Sequence, residues 1–324
     1  GKLDKKGLPK LEYSIRNNKG YEPPRNEIEE ILCDIWSNVL GVTRVGISDN
    51  FFRIGGDSII SIQLVSQAKA KGLVFKVKDI FTHPTIRELA LVAERKHIQR
   101  LVEQTDLKGE VKLTPIQEYF FSLNLPEKNH FNQSILLKLD TEINEGALRN
   151  LIEGLIKHHD ALRMYYKEVD GCWVQEYGDK IDYIYRYKDL REFELEEQQK
   201  RIEEVANEVQ GELDIGCGKL TGWVLYNCGI SYRLLIVIHH LVVDAVSWRI
   251  LLEDMERGYH QLINNTNLEF LAKSNSYKEW AEFLSKYALS EELQQEVSYW
   301  QGIEEKRKII VVENDKKINN LNDA

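Results

Sequence analysis

Cysteine is scarce in this chain. Its four residues of that type, Cys33, Cys172, Cys217 and Cys228, form no Cys-x-x-Cys pair. That spacing speaks against a zinc site and a disulfide framework and leaves them as expected small apolar fillers. No apolar run approaches the length of a bilayer span, and Gly1-Lys2-Leu3-Asp4-Lys5-Lys6 lacks the apolar stretch of a signal peptide, so a cytoplasmic chain without membrane contact is expected. A concentrated basic surface is missing too. With a formal net charge of −9, a nucleic-acid partner is not expected, because phosphate binding needs clustered cations. Nor is there a glycine-rich loop of the Walker or dinucleotide type. What is present is 324 residues with 43% hydrophobic content, enough for two folded cores.

The organisation changes along the chain. Residues 1–24 are rich in Lys, Asn, Gly and Pro without apolar period and read as a linker. From residue 25 to 97 the pattern is helical. Ile28, Ile31, Leu32, Ile35, Trp36 and Val39 mark one helix face that stops at Gly41, and a loop carrying Phe51 and Phe52 follows. Gly55-Gly56-Asp57-Ser58 opens a second helix, a short one fits around Val77 to Phe81, and Thr85 can cap a fourth through Ala93. The expectation is a small all-α four-helix bundle. Polar residues 98–111 read as a second linker. From residue 112 to 324, helical patterns such as Leu148, Leu151, Ile152, Leu155 and Ile156 alternate with strand-like runs such as Ser134 to Leu139, which predicts an α/β domain.

Within that domain, Leu220 to Tyr226 and Tyr232 to Ile238 predict a hairpin that delivers His239 and His240 to the point where a buried strand breaks into a loop. There a histidine is held yet reachable, and its ordinary pKa of about 6.5 suits proton transfer near neutral pH. The residues alone leave two readings open, a satisfied core histidine or an acid/base group. A metal site is not expected: His240 and Asp244 have ligand spacing only on a helix, and a strand precedes them. Ser247 can cap the next helix, whose apolar positions are Trp248, Leu251, Leu252 and Met255, and the helix start would offer its positive end to developing negative charge.

The turn before Ser58 has its own logic. Gly55 and Gly56 would clear side chains from the approach of another protein, and a phosphate on Ser58 would meet favourable helix-terminal electrostatics. The plainer alternative is a turn in which Asp57 or Ser58 is simply a cap. With no histidine base nearby in sequence, Ser58 looks more like an attachment point than a nucleophile.

Phe51-Phe52-Arg53-Ile54-Gly55-Gly56-Asp57-Ser58-Ile59 closely resembles the modification site of peptidyl carrier proteins from nonribosomal peptide synthetases, in which the serine carries 4′-phosphopantetheine. Gly1 to Pro9 looks like the last motif of an adenylation domain, with Lys2 at the lysine of adenylate formation, idle without the rest of that domain. Residues 112–324 are similar to the condensation and epimerization superfamily of the same synthetases. Pro115-Ile116-Gln117-Glu118-Tyr119-Phe120 matches its opening motif, His158-His159-Asp160-Ala161-Leu162-Arg163 its second, and His239 to Trp248 its active-site motif. Tyr119 stands where tryptophan is common, and Ala245 where glycine is usual. The Ser247-Trp248 pair and the aspartate of Gly-Gly-Asp-Ser are like the epimerization branch.

The resemblance implies a chloramphenicol-acetyltransferase-like α/β lobe after the carrier bundle, and inversion (L to D) at the α-carbon of an aminoacyl or peptidyl thioester held on the pantetheine of Ser58. It assigns the proton transfer to His240 and structural roles to His239 and Asp244, with Arg163 as the expected ion-pair partner of a buried Asp244. Its implied partners are a phosphopantetheinyl transferase, an upstream adenylation domain and a downstream condensation domain. Family members place the site between two lobes and draw the opposing glutamate from the second. The chain is expected to reach only through the first, as a truncated or engineered piece, with a loadable carrier beside half an active site. Two alternatives are a carrier with a condensation fragment, in which the same histidine promotes amide formation, and a catalytically silent docking module.

Overall fold

Asn26 ends an extended segment and accepts a hydrogen bond from the Glu29 amide, which starts helix α1 (Glu27–Leu40). The computed structural model describes residues 21–95, 104–140, 142–273 and 275–305. The adenylation-like motif with Lys2, part of the second linker and the Lys- and Asn-rich end lie outside them. Two compact units divide between Leu101 and Val102.

In the first unit, α1 is followed by α2 (Ser58–Ala70), strand β1 (Leu73–Val74), α3 (Val77–Thr82), α4 (Ile86–Val92) and strand β2 (Glu94–Arg95), which pairs with β1. The apolar face read from the sequence is the one buried: Leu32, Ile35 and Trp36 meet Leu64, Leu73, Ile80, Ile86 and Leu89 in a closed core. Phe51 is fully buried, edge-on to Trp36 with ring centroids 4.9 Å apart, so the loop between α1 and α2 is anchored by its aromatic ring. Thr85 caps α4 and exchanges hydrogen bonds with Glu88, a capping box.

The second unit adds β3 (Gly109–Val111), α5 (Pro115–Ser122), β4 (Asn132–Leu139), α6 (Glu145–His158), β5 (Met164–Val169), β6 (Cys172–Tyr177), β7 (Ile184–Asp189), α7 (Leu195–Gly211), β8 (Thr221–Asn227), β9 (Tyr232–His239), α8 (Ala245–Ile263), α9 (Tyr277–Tyr287) and α10 (Glu291–Glu305). One sheet has the order β4-β9-β8-β7, and the other β3-β6-β5. The expected hairpin is β8–β9, and β7 joins β8 in parallel through the α7 crossover. Every residue of β8 is buried because both faces of the sheet are covered. Trp223 and Leu225 pack with α6 and α8, and Val224 and Tyr226 with α7.

One expectation is corrected here. Cys33 is a buried filler, and burial pushes its thiol up to about 11, but Cys172 and Cys217 are exposed and fill nothing. Among the described residues no helix is long and apolar enough to cross a membrane.

Candidate active site and carrier serine

Asp57 is the N-cap of α2, its carboxylate accepting from the amides of Ile59 (2.8 Å) and Ile60 (2.7 Å). Ser58 is therefore the first helical residue, exposed, with its side chain outside the cap. The two glycines before it act differently from one another. Gly55 has φ +108° with open space around it, a backbone that other residues resist. A Cβ on Gly56 would collide with the Phe51 ring, so that glycine serves the core of the bundle and not, as its sequence position suggested, the approach of a partner. An exposed hydroxyl at a helix start, beside an uncrowded Gly55, fits covalent attachment of a phosphodiester arm.

In the second unit the two histidines part company. His239 closes β9, opposite Asn132, and is fully buried. Its Nε2 lies 2.8 Å from the Lys128 carbonyl oxygen, and its Nδ1 accepts from the Leu241 amide at 3.2 Å. A carbonyl can only accept, so Nε2 carries the proton and Nδ1 does not. Burial pushes its pKa down to about 4, which keeps it neutral. His239 ties the loop after β9 to the segment before β4 and has no route to a substrate.

His240 faces the other way. It is half-buried and lines a cavity of about 460 Å³ with Phe131, Val243, Asp244, Ser247 and Tyr119. Its amide donates to the Phe131 carbonyl (2.8 Å), and its ring stacks on the Phe131 ring at 5.3 Å. Nδ1 lies 2.7 Å from the Val243 carbonyl oxygen and Nε2 lies 3.1 Å from Nε2 of Gln133. A larger apolar groove of about 950 Å³, lined by Leu137, Leu148, Leu252 and Tyr259, does not include His240.

The loop after His240 differs from expectation in three respects. Helix α8 starts at Ala245 with Asp244 as its cap, so Ser247 is not the capping residue. The Asp244 carboxylate accepts from both the amide (2.8 Å) and the hydroxyl (2.7 Å) of Ser247. A carboxylate already occupies the positive end of α8, so that helix start does not offer itself to negative charge on a substrate. Arg163 is not the partner of Asp244, which is exposed. Arg163 forms a nearly buried ion pair with Asp160, three residues earlier, and donates to the Gly178 carbonyl (2.8 Å); Lys273 (2.9 Å) and the Leu107 amide (3.3 Å) complete the shell of Asp160. The charge needing a buried cation is Asp160, and the short 3-10 turn over Asp160–Arg163 brings the two together.

Two glutamines that sequence reasoning passed over hold the site together. Gln117, buried at the start of α5, contacts Thr114, Tyr166 and Gln175 and reaches the Leu241 carbonyl at 3.4 Å. Gln133 accepts from the Trp248 indole N–H at 2.8 Å. A signal for Gln133 was available: it occupies the inward phase of β4, in step with Ile135, Leu137 and Leu139, where a polar side chain needs a partner.

Among the described residues, His158, His159 and Asp254 are the group that could hold a metal ion, their donor atoms lying within 4.8 Å of one another. His159 Nε2 is 3.0 Å from Asp254 Oδ2, and Arg257 lies 3.6 Å from the other oxygen. Burial and the neighbouring His159 push the pKa of His158 down. With a guanidinium already at Asp254, the cluster is satisfied as a histidine–carboxylate pair.

The comparisons follow the two-unit division. A condensation-domain family model matches residues 107–320, and a phosphopantetheine-attachment-site model matches residues 30–92. The chain belongs to the condensation-domain family and carries a phosphopantetheine-binding carrier domain ahead of it. It is 44% identical over 310 residues to one of the linear gramicidin synthase proteins of Brevibacillus parabrevis, covering 93% of this chain and 4% of that protein. Against tyrocidine synthase 2 of the same organism it is 39% identical over 303 residues, covering 94% and 8%. The epimerization domain from the third module of tyrocidine synthetase B superposes with a TM-score of 0.64 at 36% identity, over 68% of this chain and 49% of that one. The starter condensation domain of rhizomide synthetase matches with a TM-score of 0.53 at 17% identity, over 60% and 48%, a likeness of fold alone. The chain thus spans a small fraction of the synthetases and about half of the solved domains it matches.

Proposed function

We propose that this chain is a carrier and epimerization segment of a nonribosomal peptide synthetase, in which Ser58 is the attachment residue and His240 the proton-transfer residue. What carries the reading is that His240 is the histidine of the pair turned to a cavity, while His239 is sealed behind it. The epimerization-like Ser247-Trp248 pair and the 36% identity to an epimerization domain support that branch over condensation.

When attached, the pantetheine thiol holds the acyl group as a thioester, which acidifies its α-hydrogen. His240 accepts that proton at Nε2, the nitrogen without a hydrogen: the Cα–H bond breaks, its electron pair moves toward the carbonyl and an N–H bond forms. Delivery of a proton to the opposite face needs a second group. The other titratable residues lining the cavity are Tyr119, Asp244 and Tyr277, and Asp244 is engaged as a cap. By resemblance to the family, the opposing acid/base is a glutamate of the second lobe. Phosphopantetheinyl transferase, an adenylation domain and a downstream condensation domain are the proposed partners. The same histidine would serve amide formation in the second reading, with which the condensation-domain family match is also consistent.

The test is to load the carrier of the complete module with an L-aminoacyl group and follow chirality of the released product. Conversion to the D form that His240→Ala abolishes, with loading intact, is the expected result. Amide formation without inversion would move the assignment to the condensation branch.

A further inference from the structure

Gln133, more than a hundred positions from His240 and Trp248, meets both beside the reactive nitrogen. The Trp248 indole N–H can only donate, and it does so to Oε1 of Gln133 at 2.8 Å. That contact decides which end of the Gln133 amide is oxygen, so the group facing His240 Nε2 at 3.1 Å is the NH2. An NH2 group can only donate, which makes Nε2 the acceptor. The Val243 carbonyl, 2.7 Å from Nδ1, requires the hydrogen on the other nitrogen. Two independent contacts thus select one tautomer, and the stack on Phe131 holds the ring plane.

We infer that Gln133, oriented by Trp248, is the positioning residue of His240: it keeps Nε2 bare and aimed, and Trp248 acts on the site through it. The inference rests on the epimerization reading for its catalytic meaning, but the clamp itself does not. In the resting site the amide caps the nitrogen's lone pair, and an arriving α-hydrogen displaces it. Once Nε2 carries a proton, two donors face each other, and the indole prevents the amide from turning its oxygen round.

Long-range proton–nitrogen correlation spectra of the histidine-labelled chain test this directly, with the His240 signals assigned from His240→Ala. Wild type at pH 8 should show a hydrogen on Nδ1 and none on Nε2. Gln133→Met should move the Nε2 resonance toward that of an unbonded nitrogen, and Trp248→Phe should move it in the same direction by less. The double variant should match Gln133→Met alone if Trp248 acts on the ring through Gln133. If Gln133→Met does not fold, Trp248→Phe carries the test. A hydrogen on Nε2 in wild type, an Nε2 resonance that stays put in the variants, or additive shifts would overturn the clamp. In the complete module, Gln133→Met should lower kcat about tenfold with KM for the loaded carrier unchanged, the loss expected from one oriented hydrogen bond. A wild-type module that inverts nothing would remove the epimerization reading, while the spectra still decide the clamp.

Discussion

Helix α2 of the first unit and helix α8 of the second both begin at an extended aspartate, Asp57 at φ −136°, ψ −177° and Asp244 at φ −140°, ψ −179°. Both carry a serine in the first turn. In α2 the serine is the first residue after the cap, and the Asp57 carboxylate reaches past it to the amides of Ile59 and Ile60. In α8 it is the third, and the Asp244 carboxylate takes both its amide and its hydroxyl. Two positions along a helix separate a hydroxyl left free for chemistry from one spent on structure. Residue type and a nearby cap do not make a site; register within the first turn does.

The sharpest way to break that comparison is covalent. Incubation with coenzyme A and a phosphopantetheinyl transferase should add one arm to the wild-type chain and to Ser247→Ala, and none to Ser58→Ala, read by intact mass. An arm on Ser58→Ala would place the attachment elsewhere and dissolve the contrast.

Much of this arrangement was legible beforehand, for physical reasons. Periodic apolar residues such as Ile28, Leu32, Ile35 and Trp36 announce a helix because burial of one face dominates its energetics, and near-continuous apolar runs announced the buried strands β8 and β9. What was not legible depends on local turn geometry or on contacts across long sequence separations. Asp160, three residues from Arg163, won the guanidinium that a motif-level reading gave to Asp244, 81 positions away. The meeting of Gln133 with Trp248, 115 positions apart, follows from packing α8 against β4 and leaves only a misplaced polar residue as its trace. The parallel β7–β8 pairing likewise needed the crossover helix α7 to be seen in place.

The adjacent histidines extend the comparison to pH. His239, buried and neutral with its pKa near 4, lies below its unfolded value of about 6.5. The unfolded chain binds the proton more readily, so stability from keeping His239 neutral is fully present above about pH 6.5 and is lost as pH falls toward about 4. The full loss is on the order of 3 kcal/mol. Urea unfolding of the second unit across this window should show that loss in wild type and a smaller one in His239→Gln, which keeps a side-chain donor but cannot be charged. Parallel pH curves for the two proteins would mean that His239 is not held neutral by burial.

The smallest expected effect is the most discriminating about the caps. Asp57→Ala and Asp244→Ala should each cost about 1 kcal/mol, the usual loss of a helix N-cap, each confined to its own unit and read from its own unfolding transition. Asp57→Asn and Asp244→Asn should be nearly silent, because asparagine caps as well and only the interaction of the carboxylate charge with the helix end, a few tenths of a kcal/mol when exposed, is removed. Had Asp244 been buried against Arg163, its removal would strand a guanidinium and cost about 3–5 kcal/mol. The exposed carboxylate with both described bonds on Ser247 points to the lower figure. A loss of about 3 kcal/mol or more in Asp244→Ala, with Asp57→Ala near 1, would show that the two aspartates are not equivalent caps and that the second carries a charge contact the first lacks.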